Sequence, residues 1–173
     1  KISFCKIEDL SQKEKKWIEK YYEENIIPLI APTTLDPAHP FPFIQNQGKG
    51  LFIEMSHGTN KEINSVILLP KNLNRFVRFP GEVHKYILLE DLITRFIDKI
   101  YPNHKLKNFG MFRVLRDSEI EIDDEADDLI DEFESALKAR RRGDVVSLEI
   151  SSNLSNNTQK LLQRELSINK SRI

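Results

Sequence analysis

The sequence predicts an α+β fold, with a mainly antiparallel or mixed sheet of about five to six strands that helices cover. Two observations support this class. Apolar residues recur at helical spacing in some segments and alternate with a period of two in others, and the two patterns follow one another without regular βαβ repetition. The 173 residues suit a single domain, in which we expect an N-terminal helix (residues 1–27), a proline-rich connector (28–49) and an α+β core (50–168).

The first predicted element is an amphipathic helix over residues 8–25. Lysine and glutamate dominate its composition, and its apolar side chains fall on one stripe. We expect Pro28 to end it. The members of the stripe are Leu10, Trp17, Ile18, Tyr21 and Tyr22.

Residues 28–49 are predicted to form a stiff, extended connector that is neither a helix nor an inner strand. Proline fixes φ and pushes the residue before it towards extended conformations. We expect His39, Phe41 and Phe43 to form a loop that docks on the sheet or on a neighbouring domain, and the alternative is core packing within the domain. Five of the eight prolines lie in this connector: Pro28, Pro32, Pro37, Pro40 and Pro42.

The predicted core begins with a β-hairpin. From Gly50 onwards, apolar residues alternate with a period of two. A polar turn at residues 57–60 follows, and a second apolar run at 63–69 can pair with the first. Shorter strands are expected at residues 75–79 and 84–89, separated by a Pro-Gly turn.

Five further elements complete the core. A helix is expected from residue 90 to 100, and a strand covered on both faces at 109–115. The pattern at residues 123–142 is a strong helix signal, since acidic residues crowd its start and basic residues its end. A strand at 145–150 and a helix at 155–166 follow.

Composition narrows the class of protein. The 26 basic and 27 acidic side chains leave a net charge of −1, which gives no general attraction to nucleic acid or to anionic lipid. Cys5, as a single cysteine, excludes an internal disulfide and fits a reducing compartment, so we expect a cytoplasmic protein. No apolar run reaches the roughly 20 residues that span a bilayer, and no transmembrane segment is expected.

The sequence offers no obvious catalytic, cofactor-binding or metal-binding residue. Its four histidines are scattered, without the spacing of a metal site; they are His39, His57, His84 and His104. The acidic block at residues 117–134 lacks the glycine turn of a calcium loop and is interpreted as a solvated helix face. Residues 47–50 hold a glycine pair and not a phosphate-binding loop.

One charge asymmetry remains. Residues 71–116 hold ten basic and four acidic side chains. We predict that four arginines in or beside the strands contact a polyanion or another domain, and the alternative is that they pair with the acidic helix that follows. These arginines are Arg75, Arg78, Arg113 and Arg116.

Several blocks together resemble the bacterial polyphosphate kinase family. The proline-rich segment at residues 35–46 is similar to a signature of that family, as are Leu69-Pro70 with Arg75-Phe76-Val77, the run at 86–93, and the segment from 112 to 144. The blocks occur in the family's order from about residue 2 to residue 166, and they identify the chain as similar to the family's middle, or head, domain.

The resemblance implies a function for a longer parent enzyme. That family transfers the terminal phosphoryl group of ATP reversibly onto inorganic polyphosphate through a phosphorylated histidine, with magnesium, in domains that flank the middle one. No catalytic residue therefore maps onto this chain, and the fragment is expected to be inactive and to bind no cofactor itself.

The expected partners are the N- and C-terminal domains of the same polypeptide, a second subunit and polyphosphate. The parent is expected in the cytoplasm and could associate peripherally with a membrane. Two alternatives remain: a free-standing polyanion-binding module and a pure dimerisation module.

Overall fold

A computed structural model describes residues 2–36, 40–58, 61–81, 84–117 and 143–168. Its strands form two sheets, of five and three strands, and helices pack on them. The predicted α+β class is therefore confirmed, with the strands divided between two sheets. In chain order the strands are β1 (Ile2–Phe4), β2 (Pro32–Leu35), β3 (Lys49–His57), β4 (Lys61–Leu68), β5 (Phe76–Arg78), β6 (His84–Leu88), β7 (His104–Arg116) and β8 (Val145–Ile150).

The larger sheet has the strand order β2-β4-β3-β7-β8, and each neighbouring pair is antiparallel. The predicted hairpin is its centre, since β3 pairs with β4 along its length. In the smaller sheet, β6 lies between β1, to which it is parallel, and β5, to which it is antiparallel.

Helical segments flank the sheets, and among the described residues none is long and apolar enough to cross a membrane. They are a 3₁₀ turn at Ile7–Asp9, α1 (Gln12–Tyr21), a π-helical turn at Tyr22–Ile26, a 3₁₀ turn at Ile27–Leu29, α2 (Leu89–Arg95), α3 (Ile97–Ile100) and α4 (Asn156–Glu165).

The N-terminal helix begins later than the sequence pattern suggests. Ser11 and Glu14 form a capping box, in which the Ser11 N–H donates to Glu14 Oε2 (2.8 Å) and the Glu14 N–H donates to Ser11 Oγ (3.3 Å). This reciprocal cap satisfies donors that the helix leaves free, and it fixes the start. The helical path then continues one residue past Pro28, in the turn Ile27–Leu29, because proline is tolerated in the first turn of a helix.

The connector is partly regular structure. After its helical turn it forms β2, which lies at one end of the strand order and pairs with β4 alone. Pro32 starts this strand, and an end position suits proline because its missing N–H removes no ladder bond on the outer side.

Two hydrophobic cores lie on opposite faces of the larger sheet. Leu51, Ile53 and Met55 of β3 enter a core shared with the N-terminal helix, α2 and the smaller sheet. Phe52, which points the other way, enters a second core with α4 and the strand β7. Alternate residues of a strand face opposite sides, so the nearly continuous apolar run of β3 follows from burial on both faces.

The remaining predicted elements are present, with two differences. The strand predicted at residues 109–115 begins five residues earlier, at His104, because its first residues pair with the end of β3. The predicted helix over residues 90–100 is broken at Phe96 into α2 and α3. The Thr94 hydroxyl donates to the carbonyls of Glu90 and Asp91, and such back-bonding bends helices. The helix predicted at residues 123–142 lies outside the described residues.

Candidate anion-binding pocket

A pocket of about 320 Å³ opens where β3 begins, between β7 and the loop that follows β4. Four basic side chains line it, and none of the described residues at its wall is acidic. Leucine, proline and glutamine side chains complete the lining. The basic residues are Lys49, Lys71, Arg75 and Arg113.

The sheet register brings two of these cations together. Lys49 of β3 is the cross-strand partner of Arg113 in β7, so their side chains share one face. The Leu69 N–H donates to the carbonyl of Lys49 (2.9 Å), and this bond holds the start of the following loop against β3. Lys71 and Arg75 reach the pocket from that loop.

A tight turn at Gln47 and Gly48 forms part of the pocket wall. The Gly48 N–H donates to the carbonyl of Gln45 (2.9 Å), and Gln47 has a φ of +60°. A Cβ at Gly48 would lie 2.7 Å from both the Gln45 oxygen and Ile44 Cγ2. Glycine is needed here because the turn closes too tightly for a side chain. Gly48 therefore shapes the turn that leads into β3.

Arg75 is held by an internal carboxylate. Its Nε and Nη2 both donate to Glu90 Oε1, at 2.9 and 2.5 Å. Glu90 is buried, and its second oxygen has no hydrogen-bond partner among the described residues. The hydrogen bond to Glu90 raises the pKa of the Arg75 guanidinium. Arg75 therefore keeps its charge in the pocket while Glu90 offsets most of it.

Arg113 is only weakly paired. Its Nη1 lies 3.4 Å from Glu149 Oε1, and both side chains are exposed to solvent in part. Its Nε is buried and has no hydrogen-bond partner in the described part of the chain. No described carboxylate forms an ion pair with Lys49 or Lys71. The pocket therefore holds cations that its own carboxylates do not neutralise.

Of the four predicted arginines, the structure brings Arg75 and Arg113 together in the pocket. Arg78 lies apart, exposed on β5 in the smaller sheet. Arg116 fastens the connector: its Nε donates to the Ile44 carbonyl and its Nη1 to the Gly143 carbonyl, both at 2.7 Å. Burial lowers the pKa of this guanidinium, and Asp144 opposes the shift.

The three residues of the predicted docking loop also lie in different environments. His39 lies outside the described residues. Phe41 packs against the second core, whereas Phe43 is 47% exposed. The Arg116 guanidinium stacks over the Phe43 ring, 4.7 Å from its centroid, at a distance typical of a cation–π contact.

The structure brings together two histidines that the sequence does not suggest as a pair. His57 and His104 are cross-strand partners at the ends of β3 and β7, with ring centroids 4.6 Å apart. Among the described residues, no group of three or more His, Cys, Asp or Glu side chains could hold a metal ion.

The outer face of the smaller sheet exposes apolar side chains. Ile2 is 67%, Phe4 62% and Phe76 49% exposed. The Phe4 ring lies 5.5 Å from that of Phe76 and 6.1 Å from that of Tyr86. We call Ile2, Phe4, Phe76 and Tyr86 the aromatic face.

Comparison with known families assigns the chain. A family model described as the polyphosphate kinase middle domain matches residues 13–173. The chain belongs to this family. The resemblance seen in the sequence is thereby confirmed, and two blocks of the polyphosphate kinase pattern, at residues 69–77 and 112–117, contribute pocket walls.

Individual relatives agree with the family model. The chain is 46% identical, over 150 residues, to a polyphosphate kinase of Erythrobacter litoralis, covering 87% of this chain and 21% of the relative. It is 34% identical, over 175 residues, to a polyphosphate kinase of Halalkalibacterium halodurans, covering 98% of this chain and 25% of that protein. The chain thus spans about a quarter or less of these relatives' length.

A solved structure has the same fold. The crystal structure of the polyphosphate kinase from Porphyromonas gingivalis superimposes with a TM-score of 0.75 at 18% identity, over 99% of this chain and 24% of that one. The fold described above is therefore that of one segment of a larger polyphosphate kinase chain.

Proposed function

We propose that this chain is the non-catalytic middle domain of an enzyme that transfers the terminal phosphoryl group of ATP reversibly to inorganic polyphosphate. In this proposal the domain lines part of the phosphate path and helps to pair subunits, while other domains of the parent perform the chemistry. The observation that carries the proposal is the match of the middle-domain model to residues 13–173, together with the cationic pocket.

The chemistry of the pocket fits a phosphate oxyanion better than a metal. Lysine and arginine are donors only, and they form charge-assisted hydrogen bonds with phosphate oxygens. Magnesium needs oxygen ligands such as carboxylates, which the described wall of the pocket does not supply. We propose that the magnesium of the parent is bound by its other domains.

A labelling experiment tests the non-catalytic role. The chain is incubated with magnesium, polyphosphate and γ-labelled ATP, beside the full-length Halalkalibacterium halodurans relative as positive control. We expect the relative to become labelled and to extend polymer, and this chain to do neither. Stoichiometric self-labelling of this chain would refute the proposal.

The aromatic face supports the subunit-pairing part of the proposal. Exposed apolar clusters of this kind mark interaction surfaces, and we propose a second copy of the chain as the partner. Sedimentation over a range of concentrations should reveal association that Phe4→Ser with Phe76→Ser weakens. Val146→Ser, at another exposed apolar side chain, is the matched control. A wild-type chain that stays monomeric at every concentration contradicts this part.

A further inference from the structure

The charges at the pocket wall do not balance. Four cations face the pocket, and two of them have carboxylate partners: Arg75 with Glu90 and Arg113 with Glu149. Lys49 and Lys71 have no such partner among the described residues. The described wall thus retains about two uncompensated positive charges, which suits an anion that carries at least two negative charges.

We infer that this pocket binds a condensed phosphate, a short run of linked phosphoryl groups, through Lys49, Lys71 and Arg113. The inference deepens the proposed function and rests on it for the choice of ligand class. Lys49 and Lys71 act as point charges with three donors each, and Arg113 offers its planar fork of donors. Arg75 remains bonded to Glu90 and takes no part in binding the ligand.

Arg113 can exchange its present partner for the ligand. The 3.4 Å contact with Glu149 is long for an ion pair between exposed side chains, and such pairs are worth about 0–1 kcal/mol. A phosphate oxygen at about 2.7–2.9 Å from the guanidinium would form a stronger, charge-assisted bond.

The size and layout of the pocket favour a chain over a single phosphate. Its volume of about 320 Å³ lies at the lower end of the range for small-molecule sites, about 300–1,000 Å³. The cations come from three separate segments: the start of β3, the loop after β4, and β7. Adjoining phosphoryl groups can engage cations on different walls, whereas one phosphate engages fewer.

The test is calorimetric titration of this chain with tripolyphosphate and with orthophosphate, at about 50 mM and about 200 mM salt. We expect tripolyphosphate to bind at least about tenfold more tightly than orthophosphate, and Lys49→Gln or Lys71→Gln to weaken its binding about tenfold, the equivalent of one charge-assisted hydrogen bond. Each variant should also reduce the salt dependence of the affinity, because a pocket with one cation fewer releases fewer counterions when the ligand binds.

The matched control is Lys105→Gln, which removes one positive charge from an exposed position on β7 away from the pocket. It should change the affinity less than about twofold at the higher salt, where distant charges are screened. An equal loss in Lys105→Gln and Lys71→Gln, or no binding of tripolyphosphate to the wild-type chain, would overturn the inference. Lys71 lies in an exposed turn, so its replacement leaves the fold intact, which circular dichroism verifies.

The two proposals fail by different results. Self-labelling from ATP contradicts the non-catalytic role, whatever the pocket binds. If the wild-type chain does not bind tripolyphosphate, or if Lys49→Gln and Lys71→Gln leave its affinity unchanged, the pocket assignment is wrong and the middle-domain role still stands.

Discussion

Replacing Arg116 by alanine is expected to destabilise the fold, because this side chain joins three segments. It donates to the carbonyls of Ile44 and Gly143, both at 2.7 Å, and stacks over Phe43. Hydrogen bonds to charged groups contribute about 1.5–3 kcal/mol each, and an exposed cation–π contact about 0.5–1 kcal/mol. Since Arg116 is only half-buried, we take the lower value for each of the two hydrogen bonds, leave the cation–π contact out of the sum, and expect a loss of about 3 kcal/mol for Arg116→Ala.

Urea unfolding followed by the fluorescence of Trp17 measures this loss. Trp17 is the single tryptophan and stacks on Tyr21 in the first core, far along the chain from the substitution, so it reports unfolding of the whole domain. With an m value of about 2 kcal/mol per M, the midpoint should fall by about 1.5 M. Arg116→Lys keeps the positive charge and can form one of the two hydrogen bonds, so its loss of stability should be about half as large.

Arg78→Ala is the control for removing a strand arginine. Arg78 is exposed, and no ion pair of it with another described residue is found, so its replacement should cost less than about 0.5 kcal/mol. If Arg116→Ala shifts the midpoint no further than Arg78→Ala does, the fastening role is wrong.

Two other substitutions test the packing and the N-terminal ion pair. Gly110→Ala should cost about 1–3 kcal/mol, because a Cβ there would lie 2.5 Å from Leu154 Cγ. Leu154→Ala lowers stability by itself, since Leu154 is buried, but Gly110→Ala should shift the urea midpoint less in the Leu154→Ala chain than in the wild-type chain, and an equal shift in both contradicts the clash. Lys85 and Ser11 lower the pKa of Glu14 to about 2. The unfolded chain therefore takes up this proton first, near the ordinary pKa of about 4.3, and the stabilisation is complete above that pH and lost as the pH falls towards 2. Glu14→Gln, which preserves the capping box, should be about 1 kcal/mol less stable than wild type at pH 6 and equal to it near pH 2, and a difference that is independent of pH rules out the ion pair.

Hydrophobic periodicity, turns and helix caps in the sequence correctly predicted several elements. The hairpin of β3 and β4 follows from alternation around a polar turn, and α4 begins where Ser155 caps it. The strand at Val145–Ile150 has the predicted bounds. In each case the sequence signal lies within one short segment, although the last strand pairs with the distant β7.

Two features that depend on distant partners could not be predicted. β1 has three residues, and it is a strand because Ile2 and Phe4 pair with His84 and Tyr86 of β6. No periodicity develops over three residues. The division of the strands into two sheets is likewise decided by such pairing.

The pocket was visible in the sequence only in part. The excess of basic residues at 71–116 indicated Arg75 and Arg113, but Lys49 lies outside that segment. It reaches Arg113 through the register of β3 and β7, which the sequence does not encode locally. Arg116 belongs to the same charge excess, yet two backbone carbonyls engage it. Composition identifies a surplus of cations, and tertiary structure decides which of them bind within the chain.

The most direct test of the account is the Nε–Hε spectrum of the arginines, recorded by NMR while tripolyphosphate is added. We expect the Arg113 signal to move saturably, because a ligand that replaces Glu149 at Nη1 changes the environment of the whole guanidinium, while the signal of Arg78 stays in place. An Arg113 signal that does not move, or an Arg78 signal that moves equally, would contradict the claim that this domain holds phosphate in the pocket.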